Sequence, residues 1–425
     1  MTVVLSPRRR REVLDALRRG TVPHSGLDVL AVGLGRFEST MDAELAAVGA
    51  GGAVFKAVRG EYGSGKTFFA RWLGERAKRR GMAVAEVQIS ETETPLHRLE
   101  TVYRRVCESL QTAEFPPSAL RAVLDAWLFG LDQEAGDDAD TVLERRLAGV
   151  SRRTPAFAAA LRGYRSALRD GDPAAAEGLV SWLGGQPHVA AAVRRRAGLR
   201  GDLDHFGALG FLQGLLTVLQ DSGHPGLLLV LDEVETLQRA RSDVRDKALN
   251  ALRQLIDEVD SGRFPGLYLL VTGTPPFFDG TQGVQRLAPL AQRIATDFTA
   301  DARFDNPRAV QVRLPGFSLD SLRDVGVRVR DLFAADAVDP DRVRRLVDDA
   351  YLADLATALT GRLGGRVGVV PRLFLKKIVS DVLDRVDQFP DFDPRADYAL
   401  TVTASEMSEV ERNAASADDV PLDLS

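Results

Sequence analysis

Gly60-Glu61-Tyr62-Gly63-Ser64-Gly65-Lys66-Thr67 fits the pattern Gly-x-x-x-x-Gly-Lys-Ser/Thr at every fixed position. Each position has a physical reason. Glycines let successive backbone N–H groups turn inward around phosphate oxygens without a side-chain clash. A helix that follows such a loop presents its N-terminus to an anion. Lys66 can reach the outer phosphates of a triphosphate, and the Thr67 hydroxyl can ligate Mg²⁺. A chance glycine-rich turn has the same composition, so context decides. Ala53 to Arg59 is a short β-type run, and a helix is predicted from Lys66 to about Arg80, carrying Phe68, Phe69, Trp72 and Leu73, with Gly81 as its stop. Strand, loop and helix occur in the required order. Gly60, Glu61, Tyr62, Gly63, Ser64, Gly65, Lys66, Thr67 and Phe68 are therefore the candidate nucleotide-contacting residues.

Outward from this loop, further strands alternate with helical stretches. Val84 to Ile89 reads as a strand, and Leu227-Leu228-Leu229-Val230-Leu231 as a strand buried on both faces. A helix is predicted from Asp243 to Asp260, then strands at Leu267 to Val271 and Ala309 to Leu314. That alternation predicts an α/β fold, a parallel sheet covered by helices. Residues 92–222 read as a large helical insert, broken at Pro116-Pro117, Gly171-Asp172-Pro173 and Gly184-Gly185. The predicted organisation is a helical lead-in over 1–50, a nucleotide-binding core over 51–315, a helical lid over 316–400, and an acidic, disordered tail over 401–425.

Asp232-Glu233 ends the buried strand, at the edge where open α/β sheets bind ligands. Asp232 would hold Mg²⁺ and Glu233 would polarise the attacking water. An ordinary strand ending in solvated acids looks the same in isolation; pairing with the phosphate loop favours function. Glu235 is either a supporting acid or a charged helix start. Thr272 and Thr274 tip the next strand. Either could hydrogen-bond the attacking water, or both could simply close a turn before Pro275-Pro276. Arg286 and Arg293 are candidates for an arginine that reaches a neighbouring subunit, with a solvated surface role as the alternative. Arg372 follows Pro371, which suits the first turn of a helix, and from a lid it could fold over the outer phosphate in cis.

The remaining properties bound the class. The chain has 425 residues, 45% hydrophobic and 27% charged, with net charge −5. No global basic field points to nucleic acid, and clusters such as Arg8 to Arg11 and Arg194 to Arg196 read as solvated helix faces. The single cysteine, Cys107, excludes an intrachain disulfide framework, and the five histidines show no metal-ligand spacing. No apolar run is long enough to span a bilayer. A soluble cytoplasmic protein without a membrane role is expected. No Asn-Lys-x-Asp stretch exists to read guanine, so ATP is the expected nucleotide. Leu183-Gly184-Gly185-Gln186 echoes a transporter-ATPase signature but lacks its serine, and reads as a loop between helices.

Together these residues resemble the AAA+ ATPases, with the arginine behind Pro371 similar to the sensor arginine of the Orc/Cdc6-like branch. Three stretches narrow the resemblance: Leu17 to Pro23 with Ala31-Val32-Gly33, Arg59 to Thr67, and Gly226 to Glu235. This set resembles the BrxD type of ATP-binding protein found in bacterial BREX phage-defence loci, from about residue 12 to 390. The resemblance implies that Pro23 to Gly33 helps enclose the adenine. It also implies an ATPase, with ATP and Mg²⁺ as cofactors, working beside other components of a defence complex and acting on DNA. The alternative is a nucleotide-controlled switch that holds protein partners, with little turnover and no DNA contact. No position matches a finger motif cleanly, so a homo-oligomer stays open, and no winged-helix module is expected after residue 390. Specificity for a partner is expected in the insert.

Overall fold

Two largely aliphatic strands, Leu227–Asp232 and Leu267–Gly273, lie in a five-stranded sheet at the centre of the molecule. The computed structural model describes residues 5–362, 371–403 and 405–407. The chain order begins with α1 (Pro7–Arg18), α2 (Gly35–Gly49), β1 (Val54–Arg59), α3 (Lys66–Arg79) and β2 (Ala83–Gln88). A helical run follows: α4 (Leu99–Ser109), α5 (Leu120–Ala135), α6 (Ala139–Arg153), α7 (Pro155–Arg169), α8 (Pro173–Leu183), α9 (Ala191–Arg196) and α10 (His205–Asp221). The core closes with β3 (Leu227–Asp232), α11 (Ser242–Asp260), β4 (Leu267–Gly273), α12 (Pro275–Asp279), α13 (Ala288–Ile294) and β5 (Gln311–Arg313). The lid helices are α14 (Leu319–Ala334), α15 (Pro340–Leu346), α16 (Asp349–Arg362) and α17 (Pro371–Lys377). A π-helical turn, Ile378–Leu383, joins α17 to α18 (Asp384–Gln388), and α19 (Pro394–Asp397) follows.

The sheet is fully parallel, in the order β2-β3-β4-β1-β5. Consecutive residues of β3 and β4 face opposite sides, yet both sides are apolar. Leu227, Leu229 and Leu231 join the core shared with the helical run, while Leu228 and Val230 join the core under α2 and α3. A continuous aliphatic run is what a strand covered on both faces requires. Each fully buried aliphatic side chain there stabilises by about 1.5–3 kcal/mol. The polar exception is Lys56 on β1, only 1% exposed. Its ammonium meets Glu44 Oε1 at 2.6 Å and donates to the Ala309 carbonyl at 2.8 Å, while Tyr268 donates to Glu44 Oε2 at 2.6 Å. Burial of that charge is tolerated because every part of it is partnered.

The run from α4 to α10 is helical as expected, but it is not a separate body. Its first helix, α4, lies against β2, α10 packs on α4, and the apolar faces of the run merge with one face of the sheet in a single core. Cys107 lies in that core, where burial pushes its thiol up to about 12 and keeps it inert.

The lead-in differs from the expected division. Its first helix begins at Pro7, capped by Ser6. Val13, Leu14 and Leu17 of α1 pack into the apolar centre of the lid with Val329, Phe374 and Ile378. Arg18 clamps Asp384 through two hydrogen bonds of 2.8 Å. Helix α1 is thus part of the lid body, whereas α2 covers the sheet. The tail also differs at its start. Glu406 falls within the tail expected to be disordered, yet it docks on the lid, its carboxylate 2.8 Å from Lys377 Nζ. The rest of the expected tail, residues 408–425, and the stretch Gly368 to Val370 before Pro371 lie outside the described residues.

Candidate functional site

Strand register assembles the site. Gln88 pairs with Asp232, Leu231 with Val271, and Val58 with Thr272, so Gln88, Asp232 and Thr272 form one row across the tips of β2, β3 and β4. The loop Gly60–Gly65 springs from β1 directly beside that row.

Within the loop, close approach leaves no room for a side chain at Gly60. A Cβ there would sit 2.2 Å from Ser64 Oγ. Gly63 and Gly65 take φ of +78° and +88°, a region costly for other residues. Gly65 is the N-cap of α3 and supplies no side chain, so the first amides of that helix have no side-chain cap. The Ser64 hydroxyl is buried and unpartnered. Lys66 is 9% exposed, and its ammonium donates to the carbonyls of Gly60 at 3.0 Å and Glu61 at 3.4 Å. It lies 5.5 Å from the Tyr62 ring centroid.

The acid side closes against this loop. Thr67 Oγ1 donates to Asp232 Oδ2 at 2.8 Å. The other oxygen of Asp232 accepts from the hydroxyl of Thr272 and from the Glu233 amide at 3.1 Å. Glu233 adopts φ +59° and ψ +42°, a left-handed conformation rare for a residue with a side chain. Such strain clusters at functional sites because the surroundings must hold it. Its carboxylate accepts a hydrogen bond from Gln88 Nε2 at 2.8 Å. Glu235 lines the same cleft, 3.7 Å from Lys66 Nζ. Burial pushes its carboxyl above the ordinary range, and the nearby Lys66 charge offsets part of that rise.

The threonines and arginines separate. Thr272 is fully buried in the acid row, while Thr274 caps α12 through its backbone carbonyl and is not among the cleft-lining residues. Arg286 is tied to Asp246 and to Ser242 Oγ at 2.7 Å, and Arg293 to Asp257 and to the Pro289 carbonyl at 3.0 Å. Both arginines are anchored to or beside α11, outside the cleft. Arg372 stands in the first turn of α17 and does line the cleft. Its Nη2 donates to the Glu406 carbonyl at 2.6 Å, and its guanidinium lies over Gly20.

The whole cleft, phosphate loop included, holds a cavity of about 320 Å³. One wall is Thr21, Val22, Pro23, Val32 and Gly33; the other is Phe317, Val325 and Leu375 of the lid, with Phe68 at the floor. The segment Pro23 to Gly33, expected on the adenine side, contributes Pro23, Leu30, Val32 and Gly33 to that lining. Its rigidity comes from α3. Glu75 accepts from the amides of Gly26 and Leu27 at 2.8 Å each, Trp72 Nε1 donates to Asp28 at 2.9 Å, and Arg71 donates to the Val22 carbonyl at 2.8 Å. Sequence reading missed this set, together with Gln88, the lid wall and the Glu406 contact. None belongs to a motif; only the strand register and the lid packing bring them to the site.

A parallel sheet of this order, a phosphate-type loop on β1, a strand between the loop strand and the acid strand, and a helical lid over the cleft define a P-loop NTPase of the AAA+ class. Residues 5–402 match the family described as BREX system ATP-binding protein BrxC/D, and the chain belongs to that family. It is an ATP-binding protein of the BREX system. Among solved structures, the chain is similar to the *Aeropyrum pernix* ORC2 protein in its ADPNP-ADP complexes, at 14% identity and TM-score 0.35, covering 86% of this chain and 70% of that one. No curated protein matches the sequence. Among the described residues, no helix is long and apolar enough to cross a membrane.

Proposed function

We propose that the chain hydrolyses ATP in this cleft and serves as the ATPase component of a BREX phage-defence complex acting on DNA. The observation that carries this reading is the 2.8 Å hydrogen bond between Thr67 and Asp232, which joins the phosphate-type loop to the acid-tipped strand. The residues fit a magnesium nucleotide: the Ser64 hydroxyl lacks a partner, and α3 begins without a side-chain cap. Thr67 and Asp232 would hold Mg²⁺, which would neutralise and position the phosphates. Lys66 exchanges its carbonyl partners for phosphate oxygens. Thr272 fixes the orientation of Asp232. Glu233, once released by Gln88, polarises the attacking water. The segment from Thr21 to Gly33 encloses the base, and Arg372 links the lid to the state of the phosphates.

ATPase activity measured with and without duplex DNA at two salt concentrations tests the role. Stimulation by DNA that falls steeply with salt supports it. A second reading, a nucleotide-controlled switch that holds protein partners and turns over rarely, is favoured by the engagement of Arg286 and Arg293 within their own chain. Slow turnover unaffected by DNA supports that second reading. Chromatography with a slowly hydrolysed ATP analogue tests whether copies assemble and free either arginine for a neighbour.

A further inference from the structure

Glu235 has no place in the chemistry just described, yet it is built into the same cleft. It stands in the first turn of the 3₁₀ segment Val234–Arg239 after the acid strand, and its side chain is only 15% exposed. One carboxylate oxygen lies 3.7 Å from Lys66 Nζ, beyond direct hydrogen-bond range, and the other is buried without a hydrogen-bond partner. Lys66 meanwhile rests on two backbone carbonyls of its own loop. A buried anion held just short of the lysine, on the side where phosphate charge must accumulate, opposes a bound nucleotide and favours the empty state. Phosphates that capture the ammonium leave Glu235 facing further negative charge with less compensation.

We propose that Glu235 is the counter-charge that reclaims Lys66 when phosphate leaves, and that it thereby sets the rate of nucleotide release. The proposal rests on the nucleotide-binding reading of this cleft. It makes Glu235 a positioning residue that acts through Lys66, and it separates the roles of the two acids that flank Val234. Glu233 points toward Gln88, and Glu235 toward the lysine. The product state gains most from this arrangement, because a diphosphate holds the lysine less strongly than a triphosphate and is more readily displaced.

The test uses the full chain, Mg²⁺ and N-methylanthraniloyl-ADP, with release followed by chasing with unlabelled ADP. Glu235→Gln is nearly isosteric and removes the charge. It is expected to slow release about tenfold and to tighten the ADP dissociation constant by about the same factor. Glu235→Asp keeps the charge on a shorter stem and is expected to fall between wild type and Glu235→Gln; it also serves if the glutamine variant does not fold. A purely structural role for Glu235 would lower the melting temperature and weaken binding. Release at or above the wild-type rate in folded Glu235→Gln or Glu235→Asp overturns the proposal. So does lost ATP hydrolysis with unchanged release, which would move Glu235 into the chemical step. If wild type binds no labelled ADP, it is the nucleotide reading that fails, and the two failures are distinguishable.

Discussion

Thr67 and Asp232 are 165 residues apart in sequence and 2.8 Å apart in space. The contact fixes the first turn of α3 to the tip of β3. A cation bound by both side chains would take over the partner each now finds in the other. Thr67→Val keeps the side-chain shape and deletes the hydroxyl. Its expected effect is a folded protein whose nucleotide affinity no longer responds to Mg²⁺, with a stability loss of about 1–3 kcal/mol from the Asp232 oxygen left without its donor. Titration of a fluorescent ATP analogue in Mg²⁺ and in EDTA checks this, and an undiminished Mg²⁺ response would sink the assignment.

Lys66→Ala removes the one ammonium in the loop. Nucleotide affinity is expected to fall by at least about 100-fold, or about 2.7 kcal/mol. Lys66 donates to carbonyls of its own loop but also offsets the charge of buried Glu235, so the melting temperature without nucleotide is expected to fall modestly as well. Calorimetric titration with ATP, paired with a melting curve, separates the two effects.

Glu233→Gln keeps the geometry of the strained residue but not its basicity. Hydrolysis is expected to drop by about 10²-fold or more while ATP stays bound. Single-turnover assays with filter retention of labelled ATP read both quantities. Wild-type hydrolysis in this variant would remove Glu233 from the chemistry.

Gly20 carries φ +69°, and a Cβ there would lie 3.1 Å from Arg372 Nη1. Gly20→Val is expected to cost about 1–2 kcal/mol from the left-handed backbone alone. It should also push Arg372 out of the cleft and weaken ATP binding more than ADP binding. Equal affinity changes for both nucleotides would show that Arg372 does not report the outer phosphate.

Glu406 gives a pH signature. Burial opposes its charged form, but the Lys377 ammonium and the Thr403 donors outweigh that penalty and hold its carboxyl at about 2. A folded value below the unfolded one means that the contact stabilises the protein above about pH 4.3 and fades as pH falls towards 2. The melting-temperature difference between wild type and Glu406→Gln is therefore expected to be largest near neutrality and to vanish in strong acid. A difference that grows on acidification would mean that the tail is not docked through this carboxylate.

The residues legible in sequence were those whose chemistry depends on neighbours in the chain. The phosphate loop needs glycines at fixed spacing, and the acid pair needs a strand that ends beneath it; both patterns are local. Strands β3 and β4 are legible because a doubly covered parallel sheet demands nearly unbroken apolar runs, whereas β5 is shorter than the stretch Ala309 to Leu314 suggested. Gln88 was not legible, since its role arises from pairing with Asp232 in a register that no local pattern records. The placement of α1 in the lid was equally hidden. Its apolar stripe at Val13, Leu14 and Leu17 says that the helix is covered, not by what. Arg286 and Arg293 illustrate the same limit, because the aspartates that hold them come from a helix earlier in the chain.

The membership of α1 in the lid body has a mechanical consequence. Two covalent crossings join that body to the sheet, one leaving α1 near Gly20 and the other running from β5 through Pro315 to α14. A cover attached at a single point can swivel freely. One attached at two points is confined largely to rotation about the line between them, and both crossings border the same cavity. Opening therefore follows one axis, and any force on the lid is delivered straight to the walls that grip the base.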